Sequence, residues 1–261
     1  VAEESHYTKP EEVVAEVSKR LEQEYGSGFD KTSISRMIKF YQEFPDFEKV
    51  ATLSQQLTWS HYCELLVFDN VDEINYYIKQ TEIYNLSVRE LREKIKSKEY
   101  QRLEDKTKLK LINKEETAVS DFIKNPIVIR NKYNIDKESI TEKILQRLIL
   151  EDIPSFLKEL GSGFSFIDNE YKIKIGDRYN YIDLLLFNYE FNCFVVVELK
   201  VTELKKEHIG QIEFYMNYID KNLKNINQNK TIGIIICKKE NKYVIEYCSD
   251  DRIIAREYEL V

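Results

Sequence analysis

Two periodicities divide this chain. Through about residue 112, apolar residues recur every three to four positions, the spacing of a helix face. Val13, Val17, Leu21 and Tyr25 follow the capping-box pattern Thr8-Lys-Pro-Glu11, and Gly26-Ser-Gly28 stops the run. Ile34, Met37, Ile38, Tyr41 and Phe44 give a second helix its buried face up to Pro45. Tyr62, Leu65 and Leu66 indicate a third, and Ile74, Tyr77 and Ile78 a fourth. Ser87-Val-Arg-Glu90 caps a fifth that bears Leu91, Ile95 and Leu103. Together they predict a helical bundle.

After residue 112 the pattern changes. Ser139-Ile-Thr-Glu142 opens a helix through Leu145, Leu148 and Ile149, which Pro154 interrupts before Phe156-Leu-Lys-Glu-Leu160 and a stop at Gly161. Tyr171–Ile175, Tyr179–Phe187 and Cys193–Lys200 are too short for buried helices and rich in β-branched and aromatic residues, so they read as strands. A helix from about Glu207 to Leu223 turns Ile212, Met216, Ile219 and Leu223 toward the sheet. Thr231–Cys237, apolar throughout, reads as a central buried strand, with Tyr243–Cys248 a further strand and another near the C-terminus. No Gly- or Ser-rich linker marks a boundary. The division into 1–112 and 113–261 rests on the loss of helical periodicity.

With 43% hydrophobic residues in 261, the chain can bury a real core as one large or two ordinary domains. Cys63, Cys193, Cys237 and Cys248 form no C-x-x-C pair and lie in or beside apolar runs, which predicts reduced thiols and a cytoplasmic setting. No apolar stretch approaches the ~18 residues of a membrane span, and the N-terminus lacks a signal-peptide core. Residues 86–114 carry ten Lys or Arg against five acids in a chain of net charge −7. Arg89, Arg92, Lys94, Lys96 and Lys98 in that segment are candidates to follow a nucleic-acid backbone, although a solvated helix face would look the same. His61 has no second His or Cys at ligand spacing and reads as a packing or hydrogen-bonding residue, and His6 and His208 are equally isolated.

The chemistry gathers at Asp183 and Glu198-Leu199-Lys200, which stand on neighbouring strands joined by the loop Asn188–Asn192. In an antiparallel hairpin whose facing residue numbers sum to 381, Asp183 lies opposite Glu198 and Tyr181 opposite Lys200, with Leu199 on the far side. Facing Cβ atoms are about 4.5–5.5 Å apart, so the two carboxylates converge. Mg²⁺ takes such oxygen ligands, and a neighbouring Lys can steady a phosphate. An Asp–Lys–Glu ion-pair cluster accounts for the same three residues, and both readings stand at this level. Gln211, Tyr215 and Tyr218 form a second stripe on the following helix, suited to packing and surface positions.

The pair Asp183 and Glu198-Leu-Lys200 resembles the PD-(D/E)XK nuclease superfamily. Phe156-Leu-Lys-Glu-Leu-Gly161, Gly163-Phe164, Tyr181-Ile-Asp-Leu-Leu185, Val197-Glu-Leu-Lys200 and Asn217-Tyr-Ile-Asp220 narrow the resemblance to the YhcG-type family of bacterial nuclease-like proteins. Thr58-Trp-Ser-His-Tyr62 and Ser87-Val-Arg-Glu-Leu91 extend it to the front of the chain. The resemblance implies an α+β protein: an N-terminal helical bundle, then a restriction-endonuclease-like αβββαβ domain with a mixed central sheet. It also implies a Mg²⁺- or Mn²⁺-dependent nuclease acting on nucleic acid, DNA foremost, in genome defence or DNA processing. Asp183 and Glu198 would hold the metal, and Lys200, Gln211 and Tyr215 would complete the catalytic set. A homodimer is the simplest way to cut both strands of a duplex. The chain opens on Val1, and the family carries further sequence ahead of this point, so a trimmed N-terminus is expected. One departure stands out: the family's first nuclease helix contributes an acid where this chain has Gln146, with Glu142 one turn earlier as its substitute. That departure keeps a second reading open, a non-catalytic nucleic-acid-binding or assembly module on the nuclease fold.

Overall fold

Residues 9–43, 57–113 and 115–261 are described by a computed structural model of the chain. The expectations at His6, Thr8, Phe44, Pro45 and Lys114 lie outside the described residues. The chain divides into two units, Val1–Tyr100 and Gln101–Val261, ahead of the 112/113 division read from periodicity.

Every element described in the first unit is a helix: α1 (Pro10–Tyr25), α2 (Lys31–Glu43), α3 (Trp59–Leu65), α4 (Val71–Tyr84) and α5 (Val88–Lys96). The side chain of Asn70 caps α4 by accepting from the amides of Asp72 and Glu73, and Ser87 with Glu90 closes a reciprocal capping box on α5. Tyr62, Leu65, Ile74, Tyr77, Ile78 and Leu91 form the buried interior. His61 is buried and fully used, its Nδ1 2.9 Å from Thr58 Oγ1 and its Nε2 3.0 Å from the Leu86 carbonyl. Three expectations fail here. Val13, Val17 and Tyr25 are 45%, 37% and 64% exposed, while Ser18 turns inward and donates its hydroxyl to the Phe29 carbonyl. Strict i+4 steps drift about 40° each at 3.6 residues per turn, so that stripe winds off any single face. On α2, likewise, Ile34 is buried while Ile38 and Tyr41 are exposed. α5 ends at Lys96, so Leu103 falls outside it.

The second unit is an α+β domain. After α6 (Asp105–Asn113), α7 (Val119–Phe122) and β1 (Ile127–Ile129) come α8 (Glu142–Leu150), α9 (Ile153–Leu160), β2 (Phe164–Ile175), β3 (Arg178–Asn188) and β4 (Cys193–Leu199). α10 (Lys206–Asn222), β5 (Ile232–Cys237), α11 (Lys242–Glu246) and β6 (Ile253–Leu260) complete it. The run from α8 to β5 has the expected αβββαβ order. The six strands lie in the order β1-β6-β5-β4-β3-β2, antiparallel among β2, β3 and β4 and parallel across the other pairs. Leu145, Leu148, Ile149, Phe156 and Leu160 of α8 and α9 cover one face, against Leu184, Val195 and Val197. Ile212, Tyr215, Met216 and Ile219 of α10 cover the other, against Leu185, Val196 and Ile235.

Three local expectations change. Thr141, not Ser139, caps α8, its hydroxyl accepting from the Ile144 amide, while Ser139 ends a separate turn, Lys137–Ser139. Tyr243–Cys248 is not a strand. Asn241 caps α11 there, and Val244, Ile245 and Cys248, at one-and-four spacing, reach the α10 side of the core while Tyr243 and Tyr247 stay in solvent. β2 begins at Phe164, earlier than Tyr171, because a bulge between Phe166 and Asp168 and the positive φ of Glu170 (48°) hide its alternation.

The approach of α10 to β5 requires Gly233. A Cβ there would stand 2.5 Å from Met216 Sδ and 2.9 Å from Ile212 Cδ1. Gly233→Ala should therefore cost about 1–3 kcal/mol in urea unfolding. Gly210→Ala, in α10 with open space around it, should be neutral or stabilise by up to about 1 kcal/mol. Equal effects would contradict the close contact.

Candidate active site

The β3–β4 hairpin has the predicted register, with Leu184 facing Val197, Leu186 facing Val195 and Asn188 facing Cys193. The ladder stops at Leu184 and Val197. One residue further, Asp183 Oδ2 accepts the Leu199 amide at 2.7 Å, so a side-chain carboxylate takes the donor that β3 backbone would otherwise receive. On the other flank, β2 pairs at Asn169–Leu184 and Tyr171–Ile182 but skips Glu170 and Asp183. The Asp183 carbonyl is satisfied instead by Gln146 Nε2 of α8, at 3.1 Å. Beyond this point the strands part: the Lys200 amide donates to Ile236 of β5, and Tyr181 pairs with Lys172 of β2. The expected facing of Tyr181 and Lys200 is therefore not realised, because the ladder ends before it.

Glu198, at 2% exposure, lies in this notch. Its Oε1 accepts from Lys200 Nζ at 2.8 Å, and its Oε2 is buried with no hydrogen-bond partner. Lys200 also stands 3.6 Å from Glu142 Oε1. Burial, and then the neighbouring Asp183, push the Glu198 carboxyl up to about 7. Burial likewise raises Asp183, against the opposing pull of the Leu199 amide and Lys200, while Glu142 and Glu170 add to the rise. For Lys200, burial works against the charge, but Glu198, Glu142 and Asp183 outweigh it and raise its pKa. The notch is thus acid-rich and largely buried, with the carboxyls of Asp183, Glu198 and Glu142 gathered around the single cation Lys200.

α10 brings Gln211 and Tyr215 beside it. Gln211 Nε2 donates to Tyr215 Oη at 3.1 Å, and the carboxylates of Glu198 and Asp183 are close enough to act on the Tyr215 hydroxyl, whose pKa is raised chiefly by burial. Gln211 and Tyr215 also line an open groove of about 510 Å³ with Ile175, Arg178, Asn180, Gly210 and Phe214. The five residues read as catalytic are therefore neighbours at one end of β4. The basic candidates lie in the first unit. Arg92 is forked onto Glu64 at 3.2 and 2.6 Å and Lys94 is paired with Glu99 at 2.9 Å, whereas Arg89, Lys96 and Lys98 are exposed. Sequence reasoning missed Glu170, Arg178 and Phe214, which no spacing marks, and saw Gln146 as a weakened ligand rather than the donor that holds the Asp183 backbone. Burial pushes the thiol of Cys193 up to about 11 and of Cys237 to about 12, and all four cysteines are free.

Comparison with known proteins bears on the family. The family model described as "YhcG PDDEXK nuclease domain" matches residues 120–261, and the DUF1016 N-terminal domain model matches residues 2–102. The Escherichia coli (strain K12) protein named "Putative nuclease YhcG" is 24% identical over 286 residues, which span 95% of this chain and 76% of that protein. A repair endonuclease from Pyrococcus abyssi superposes with a TM-score of 0.33 at 18% identity, over 46% of this chain and 47% of its own. EndoMS in complex with double-stranded DNA does so at 0.32 and 19%, over 49% and 48%. The chain thus spans about half the length of those two structures. Since the nuclease-domain match covers more than half of its residues, the chain belongs to the YhcG family of PDDEXK nuclease domains.

Proposed function

We propose that this protein is a divalent-metal-dependent nuclease that hydrolyses phosphodiester bonds in DNA, with Mg²⁺ or Mn²⁺ held by Asp183 and Glu198. The observation that carries the reading is the buried, unpartnered Oε2 of Glu198 beside a second carboxylate that burial also disfavours. Two such oxygens are costly without a cation and suited to one. A bound ion there would polarise the phosphoryl group and lower the pKa of water near it. The chain's own groups do the rest. Lys200, anchored on Glu198, presents positive charge to a phosphate whose negative charge grows as water attacks phosphorus and the ester oxygen leaves. Gln211 and Tyr215 offer an amide and a phenol to orient that water or a non-bridging oxygen. Gln146 keeps Asp183 in place through its backbone. The free thiols suit a cytoplasmic enzyme of DNA processing or genome defence, and a homodimer would present two such sites to a duplex.

One observation favours the other reading, a nucleic-acid-binding or assembly module: among the described residues no three His, Cys, Asp or Glu gather at metal-binding distance, and Gln146 stands where the family has an acid. Cleavage assays on linear, circular and single-stranded DNA with Mg²⁺, Mn²⁺ or chelator separate the two. A nuclease cuts at least one substrate only with metal, and a binding module cuts none.

Asp183→Asn should abolish metal-dependent cleavage with the fold intact and DNA affinity equal or higher, since one acid facing the phosphate is neutralised. Lys200→Ala should abolish cleavage with weaker affinity. Cleavage by Asp183→Asn at the wild-type rate would sink the assignment.

A stability measurement tests the same carboxylates without turnover. Because the folded state holds the Glu198 proton up to about pH 7, against an ordinary value of 4.5, ionising this residue destabilises the metal-free fold as pH rises through that window. In chelator, the stability of Glu198→Gln relative to wild type should therefore climb between pH 5 and 8, by on the order of 1–3 kcal/mol. Mn²⁺ should raise the melting temperature of wild type but not of the variant. Parallel pH curves, or an equal response to metal, would contradict a Glu198 whose burial resists its ionisation.

A further inference from the structure

We propose that the groove between the β2–β3 hairpin and α10 is a subsite for one unpaired nucleotide of the DNA strand being cut, with the Arg178 guanidinium on its phosphate and the Phe214 ring under its base. The proposal rests on the nuclease reading and extends it, because it fixes which form of DNA the site accepts. The groove approaches the notch at Tyr215, which lines it with Gln211 and whose hydroxyl is within electrostatic reach of Glu198 and Asp183. It is an open groove rather than an enclosed cavity, lined by residues of the hairpin and of α10.

Its lining has the two chemistries a nucleotide needs. Arg178 is the only charged residue among those lining it, and it forms no ion pair with Asp177 or any other acid among the described residues. The hairpin holds it there. The tight turn at Gly176 (φ 57°) pairs Ile175 with Arg178, while Lys172 and Lys174 on the alternate face lie over the Tyr179 ring at 3.9 and 6.0 Å. Phe214 is 46% exposed although Ile212, Tyr215 and Met216 beside it on α10 are buried, and its ring stands edge-on to Tyr215 at 6.2 Å with the remainder open to solvent. An exposed aromatic face beside an unpaired guanidinium is the usual platform for stacking a base and gripping its phosphate in a single strand. A base within a duplex cannot reach such a ring without leaving its stack. Asn180 and Gln211 supply amides for the base edge or the sugar.

The test uses the full chain carrying Asp183→Asn, so that bound DNA is not consumed, with Mg²⁺ and fluorescence anisotropy on single-stranded DNA, a blunt duplex and single-stranded RNA of one sequence. Adding Arg178→Ala should weaken single-strand binding about tenfold and reduce the slope of log affinity against log salt by roughly 0.7, the loss of one phosphate contact. Phe214→Ala should weaken it about 5- to 100-fold, and Phe214→Leu, which keeps the apolar volume, nearly as much, because stacking is lost in both. Duplex binding should change about twofold or less. Unchanged affinity and salt slope in both single-residue changes would overturn the subsite, as would equal losses on duplex and single strand. RNA bound more tightly than DNA would overturn the assignment of the strand. The two readings fail separately. If wild type cuts nothing while Arg178→Ala and Phe214→Ala still weaken single-strand binding, the nuclease reading falls and the subsite stands. If wild type cuts DNA and Arg178→Ala and Phe214→Ala alone leave KM unchanged, the subsite falls.

Discussion

The hydrogen bond from the Leu199 amide to the Asp183 carboxylate is the constraint on which the notch depends. A β-ladder normally uses backbone carbonyls as acceptors, and continuing the β3–β4 ladder past Leu184 and Val197 would fill the space between the strands. Asp183 instead lends its side chain to β4 and gives its carbonyl to Gln146, so both strand ends are satisfied while their backbones diverge. The divergence leaves room for Glu198 and Lys200 on the inner side, and it frees the β2–β3 hairpin to extend alone past α10.

Such an arrangement carries a standing electrostatic cost. Asp183 and Glu198 are drawn from water beside each other, and Lys200, which also answers to Glu142, cannot balance both. The fold tolerates this because the strands beneath, Leu184–Leu186 and Val195–Val197, are wholly buried between two helical layers and hold the register. A core so apolar gives the strained end no alternative pairing, since a one-residue slip would turn that whole set of side chains to the wrong face.

Much of this was legible in the chain. Period-two alternation and the loop Asn188–Asn192 set the hairpin register, and with it the meeting of Asp183 and Glu198, because strand register follows from side-chain facing alone. Ser87 and Glu90 announced α5, since their capping bonds are local. The failures share a cause. Tyr243–Cys248 looked like a strand because the nearby Asn241 cap and a one-and-four apolar spacing are weak signals in so short a run. Glu170 and Gln146 act through backbone made irregular by tertiary contacts, which residue spacing does not record. Arg178 and Phe214 are ordinary surface residues until α10 and the hairpin are brought together. In the basic segment, Arg92 and Lys94 take part in ion pairs within their own unit, while Arg89, Lys96 and Lys98 are exposed.

Asp183 and Glu198 are proposed to hold a divalent cation together. Crystals soaked in Mn²⁺ and measured at the manganese absorption edge test it most directly. An anomalous peak is expected within coordinating distance of both carboxylates, including Glu198 Oε2, the atom now without a partner. A map with no peak there, in crystals whose exposed carboxylates do bind Mn²⁺, would reduce the notch to a buried ion pair and contradict the account.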